Sequence, residues 1–129
     1  MISRLCLLLL VAGAAFPAAA QAPDLLQARS LRCEFGPGAQ AEWRGGRPSY
    51  AISPSGMPSP VDFDNISVRE GRARFLGNNA AVDVAVLTAG GALNFVEVTP
   101  GGAVMLTTVF PYPTQAGRFP VVTSRHVSV

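Results

Sequence analysis

Turn-forming residues punctuate this chain at short and nearly regular intervals, and no other feature limits its possible folds as strongly. Gly36-Pro37-Gly38, Gly45-Gly46, Pro54-Ser55-Gly56, Glu70-Gly71, Gly77-Asn78-Asn79, Gly90-Gly91, Pro100-Gly101-Gly102 and Gly117 follow one another about every 7 to 16 residues, the spacing of short strands in a sandwich or barrel. Between the turns apolar side chains alternate with others. Leu31, Cys33 and Phe35 oppose Arg32 and Glu34; Val82, Val84 and Val86 oppose Asp83, Ala85 and Leu87; Val104, Leu106 and Phe110 oppose Met105 and Val109. That period is two, the period of a strand. The spacing predicts eight or nine antiparallel strands, near 30–36, 39–44, 48–53, 61–68, 72–77, 81–88, 92–99, 103–110 and 118–127. Short connections favour pairing between sequence neighbours, so the expected fold is all-β, an up-and-down antiparallel meander closed as a barrel or packed as a sandwich. Helix is expected only within Asp24-Leu25-Leu26-Gln27-Ala28-Arg29-Ser30, where Asp24 can cap a short turn.

Residues 1–20 are set apart from this pattern. Arg4, the apolar run from Leu5 to Phe16 and the small residues Ala18-Ala19-Ala20 have the layout of a secretory signal peptide, with cleavage expected after Ala20 or shortly beyond. The apolar run is shorter than the roughly 20 residues a spanning helix needs, and Cys6 lies inside it, away from the position a lipid-anchored cysteine occupies. The expectation is a single all-β domain over residues 21–129, soluble and monomeric in the periplasm or outside the cell, touching the membrane only during export. Past the leader, nine arginines face eight acids and one cysteine, Cys33, remains. A lone thiol cannot pair within its chain, so stability is expected from the core, with Cys33 a buried small hydrophobe and an exposed thiol that dimerises or reacts as the alternative.

The catalytic repertoire is narrow. The chain has no lysine, which removes Schiff-base chemistry, a lysine base and the phosphate-loop lysine. With one histidine, His126, the multi-histidine zinc motifs are excluded. No G-x-S-x-G elbow or EF-hand loop is present. No catalytic residue, cofactor or metal is therefore assigned. Ser124-Arg125-His126 is the sharpest constellation: alternation puts Ser124 and His126 on one face, their Cα atoms roughly 7 Å apart, and Arg125 on the other. The ordinary expectation is that Arg125 pairs with an acid on a neighbouring strand and His126 satisfies local backbone groups or solvent; the rivals are Arg125 as a fork for a carboxylate or phosphate and a hydrolase using Ser124 and His126.

Trp43 and Tyr50 flank Arg44-Gly45-Gly46-Arg47-Pro48, a hairpin with aromatics on its arms, for which core packing is expected and an aromatic ligand wall is the alternative. Asp62 and Asp64 share one strand face. Arg72 and Arg74 share another beside Arg69, a solvated face without the aromatic interleaving or net basicity that nucleic acid requires. Asn65-Ile66-Ser67 fits the glycosylation acceptor pattern. The proline-rich segments 53–60 and 110–117, the second containing Tyr112, are loops on which a binding surface can be built. Arg125, His126, Trp43, Tyr50 and Tyr112 form the candidate binding set.

Leu31-x-Cys33-x-Phe35, Ala41-Glu42-Trp43, Phe63-Asp64-x-Ile66, Ala73-Arg74-Phe75-Leu76-Gly77-Asn78 with Val82, Leu93 to Thr99, Thr107-Thr108-Val109-Phe110 and Ser124-Arg125-His126 together resemble a group of small exported bacterial all-β proteins to which no activity is assigned. The resemblance implies an exported all-β domain and transfers no catalytic residue. With the side chains of most catalytic schemes missing, function is expected to be binding, of a small molecule or an extracytoplasmic protein, with inhibition of an extracytoplasmic hydrolase through a loop such as 53–60 or 110–117 as the alternative.

Overall fold

The computed structural model of the protein describes residues 24–57, 60–77, 80–114 and 117–127. The leader expected at residues 1–20 lies outside them. A 3-10 turn, Leu25–Gln27, comes first, its start fixed by the Asp24 carboxylate accepting a hydrogen bond from the Leu26 N–H at 3.0 Å. Nine strands follow among the described residues: β1 Leu31–Cys33, β2 Gly38–Arg44, β3 Arg47–Ser53, β4 Val61–Ser67, β5 Arg72–Leu76, β6 Ala81–Ala89, β7 Ala92–Val98, β8 Val104–Val109 and β9 Val121–His126. Seven of them make one antiparallel sheet in the order β1-β4-β5-β6-β7-β8-β9, curled into a half-barrel. No helix among the described residues is long and apolar enough to cross a membrane.

The all-β antiparallel class matches the expectation from alternation. The uninterrupted meander needs correction: β1 pairs with β4, Leu31 opposite Phe63 and Cys33 opposite Val61, while among the described residues β2 and β3 pair only with each other. The β2–β3 turn is tight because Gly45 and Gly46 both take positive φ, 57° and 75°, a geometry matched to strand twist in two-residue hairpins. The base of this hairpin is pinned where Gly56, at φ +62°, packs against the Gly36 carbonyl so closely that any Cβ would collide with it.

Inside the half-barrel the side chains of alternate residues meet. Phe63 stacks on Phe95 with ring centroids 4.0 Å apart and tilts against Phe75 at 5.5 Å. Ile66, Ala73, Val84, Val86, Leu93 and Val109 complete the core, and Leu25 from the opening turn plugs it. Burying each of the larger side chains contributes roughly 1.5–3 kcal/mol. On β8 it is Met105, Thr107 and Val109 that face inward, leaving Val104 and Leu106 outside. Thr107 and Thr123 hydroxyls meet at 2.9 Å, and Thr108 donates to the Asn94 side-chain oxygen at 2.8 Å.

The outer surface divides into two zones. On β1, β4 and β5 the register sets Arg32 opposite Asp62 and Asp64 opposite Arg74, and both pairs are bidentate, with Arg32 Nε–Asp62 Oδ1 at 2.8 Å and Arg74 Nη2–Asp64 Oδ2 at 2.6 Å. Hydrogen bonds from the arginines hold both carboxyls below their ordinary pKa. On β6 to β9 the outer wall is instead largely apolar, with Leu87, Val98, Val104 and Val122 exposed and rows such as Ala85-Val96-Leu106-Ser124 running across it. The exterior is therefore charged over β1, β4 and β5 and greasy over β6 to β9.

Candidate functional site: the seam between the edge strands

Curling brings the two edges of the sheet towards each other without joining them. Between β1 and the approach to β9 lies a cleft of about 430 Å³, lined by Leu31, Cys33, Val109, Phe119 and Val121 on its apolar side and by Glu34 and Arg118 at its mouth. Arg118 reaches Glu34 across the seam at 3.4 Å, both groups well exposed. The strands explain the lining. On β1, period two turns Leu31 and Cys33 inward and sends Arg32 out to Asp62; on β9, the pairing of Val121 with Val109 continues the inner face. The volume and the apolar lining with a few polar groups at the rim match small-ligand sites, which run roughly 300–1,000 Å³.

Cys33 sits on the cleft floor and is 4% exposed. Burial pushes its thiol up to about 11, so it stays protonated and poorly nucleophilic at neutral pH. Elsewhere inside the half-barrel the space is filled: the gap among Met57, Phe63, Phe75, Phe95, Glu97 and Met105 is about 10 Å³.

None of Arg125, His126, Trp43, Tyr50 and Tyr112 lines the seam cleft. Trp43 and Tyr50 are 68% and 76% exposed, which corrects the expectation that they pack in the core; the physical reason is that β2 and β3 stand outside the seven-stranded ladder. They share one hairpin face with Ala39, Ala41, Pro48 and Ile52, since Ala41 faces Tyr50, Trp43 faces Pro48 and Ala39 faces Ile52. Tyr112 is exposed in the 110–117 loop. Arg125 is exposed and forms no ion pair among the described residues, correcting its expected partnership with an acid. The strand beside it, β8, carries no acid; the acid of its row is Glu97 on β7, with Met105 between them.

His126 and Ser124 do share a face, with Nε2 and Oγ at 3.2 Å. The pair is exposed, and among the described residues no carboxylate orients the ring. No cluster of three or more metal-ligating side chains occurs among the described residues. Asp62 and Asp64, which share a face as read from sequence, are each engaged by an arginine. Asn65 is exposed at a bulge in β4, at φ 49°. The seam itself carries no sequence signal beyond alternation, because its walls come from residues about 84 positions apart, as Glu34 and Arg118 illustrate.

Comparison of the chain with protein-family models, with curated proteins and with solved structures finds no match.

Proposed function

We propose that this chain is an exported, non-catalytic binding protein of the periplasm or extracellular space, and that its ligand site is the seam cleft between β1 and β9. The observation that carries this reading is the 430 Å³ apolar recess held open between two unpaired edges. The leader pattern of residues 1–20 and the resemblance to small exported bacterial β-proteins support the location. The expected ligand has an apolar body that covers Leu31, Val109, Phe119 and Val121, and a polar end that meets Glu34 or Arg118. The test is titration with 1-anilinonaphthalene-8-sulfonate. Saturable fluorescence enhancement with amide shifts confined to residues 31–34 and 117–121 supports the reading, and Val121→Trp, which fills the recess, abolishes both. Shifts that map instead to the outer wall, or no saturable response, overturn it.

A second reading, inhibition of an extracytoplasmic hydrolase, is favoured by a different observation: the exposed Trp43, Tyr50 and Ile52 face, of the kind that supplies anchor residues at protein interfaces. Its mark is a stoichiometric enzyme partner recovered by wild type and lost with Trp43→Ser or Tyr50→Ser. A partner retained by both variants removes the hairpin from the account.

A further inference from the structure

The seam has a property that follows from counting strands. Every pairing in the main sheet, from β1–β4 through β8–β9, is antiparallel, and seven strands so joined leave the first and last running in the same direction. The two edges therefore cannot meet and continue the antiparallel ladder. One more strand, running opposite to both, pairs antiparallel with each and completes eight, a number at which a barrel interior is just filled by its side chains.

We propose that the seam receives one extended segment of a partner polypeptide as this eighth strand. The inference deepens the binding reading and rests on the seam being the site. Three observations carry it. First, the edge of β9 is ready to pair. The Pro120 carbonyl accepts a hydrogen bond from the Phe110 N–H at 2.9 Å, so by alternation the N–H and C=O groups of Val121, Thr123 and Arg125 point away from β8 towards the open side. Neither β9 nor β1 has a ladder partner on its far side among the described residues. Second, the space between them is an apolar trough that takes the inward half of an alternating segment, continuing the inner surface made by Leu31, Cys33 and Val121. Third, the charges at the mouth are already matched, Arg32 with Asp62 and Arg118 with Glu34, so the complementary segment is uncharged over its central residues. Backbone pairing to an exposed edge supplies affinity, and pockets for alternate side chains supply selectivity.

The probe is the peptide acetyl-Thr-Val-Thr-Val-Thr-Val-Thr-amide, added to the full-length chain purified as it is produced. The expected result is about tenfold slower hydrogen exchange at the amides of Val121, Thr123 and Arg125, with shifts at Leu31 to Cys33, and loss of both when alternate peptide amides are N-methylated. Arg125→Pro, which removes one open-side donor and spares the β8 ladder, weakens peptide binding at least about fivefold while the anilinonaphthalene sulfonate response stays as in wild type. If the sulfonate probe binds at the seam but the peptide gives no protection, or the N-methylated peptide binds equally well, the eighth-strand inference falls and the binding reading stands. Protection of β9 that appears without peptide and grows with protein concentration shows edge pairing between two copies, and also overturns it.

Discussion

Two hairpins of similar length, β2–β3 and β7–β8, obey the same local rules and meet opposite fates. Both join antiparallel strands through glycine-bearing turns, and both place apolar side chains on one face. The inward face of β7–β8, with Leu93, Phe95, Thr107 and Val109, is buried beneath Phe63 and the plug residue Leu25. The corresponding face of β2–β3, with Trp43, Tyr50 and Ile52, is exposed. Alternation decides which residues share a face; the long-range pairing of β1 with β4 decides which faces are covered. Because β4 docks directly onto β1, the intervening hairpin is looped out of the ladder. Two strands alone are marginally stable in water, which gives the Gly36–Gly56 contact at the hairpin's base its importance.

Truncation tests this contrast most strongly. Phe95→Ala should cost about 3–5 kcal/mol, read from urea unfolding, whereas Tyr50→Ala should stay within about 0.5 kcal/mol. A comparable loss at Tyr50 would show the hairpin face to be covered in solution and would break the comparison. Next in size is Gly56→Ala, which forces a Cβ into the Gly36 carbonyl at a positive φ. It should cost about 1–3 kcal/mol and speed hydrogen exchange in residues 38–53, with β5 to β8 protection unchanged. Gly45→Ala, strained in φ but free of any collision, should cost only about 1 kcal/mol.

Titration separates the two regions at smaller amplitude. The Cys33 thiol, raised to about 11 by burial, remains protonated in the fold after the unfolded chain's thiol ionises near pH 8.5. Stability tied to it is complete below that pH and declines as pH rises towards 11; Cys33→Ala removes this part of the alkaline slope. Asp62 and Asp64 act at the other end. Their lowered values give stability that is present above the ordinary carboxylate range near pH 4 and is lost as pH falls through the folded values. Asp64→Asn should flatten that acid limb slightly, the smallest of these effects because the pair faces solvent. Hairpin exchange rates should follow neither titration.

Strand positions were legible in the sequence because turn chemistry and alternation are local. Asp24 as a cap, Cys33 as a core residue and the shared face of Asp62 and Asp64 were readable for the same reason. Pairing partners were less so: the turns around residues 36 and 56 say that the chain reverses, and not that β1 will skip to β4. Trp43 and Tyr50 share a face by alternation, but alternation does not say whether a face is covered, and this one is exposed. The seam was invisible, since Leu31 and Val121 look like any other inward residues until curvature sets them across a gap.

The lateral hydroxyl contacts on β8 acquire a consequence from the apolar outer wall. Where Val96, Val98, Val104 and Leu106 make both sides of β7 and β8 greasy, a slip of one residue would exchange one oily surface for another with little hydrophobic penalty. Thr107 on Thr123 and Thr108 on Asn94 are satisfied only in the observed alignment. These few oxygens act as dowels, locating the strands so that burial has a single arrangement to reward.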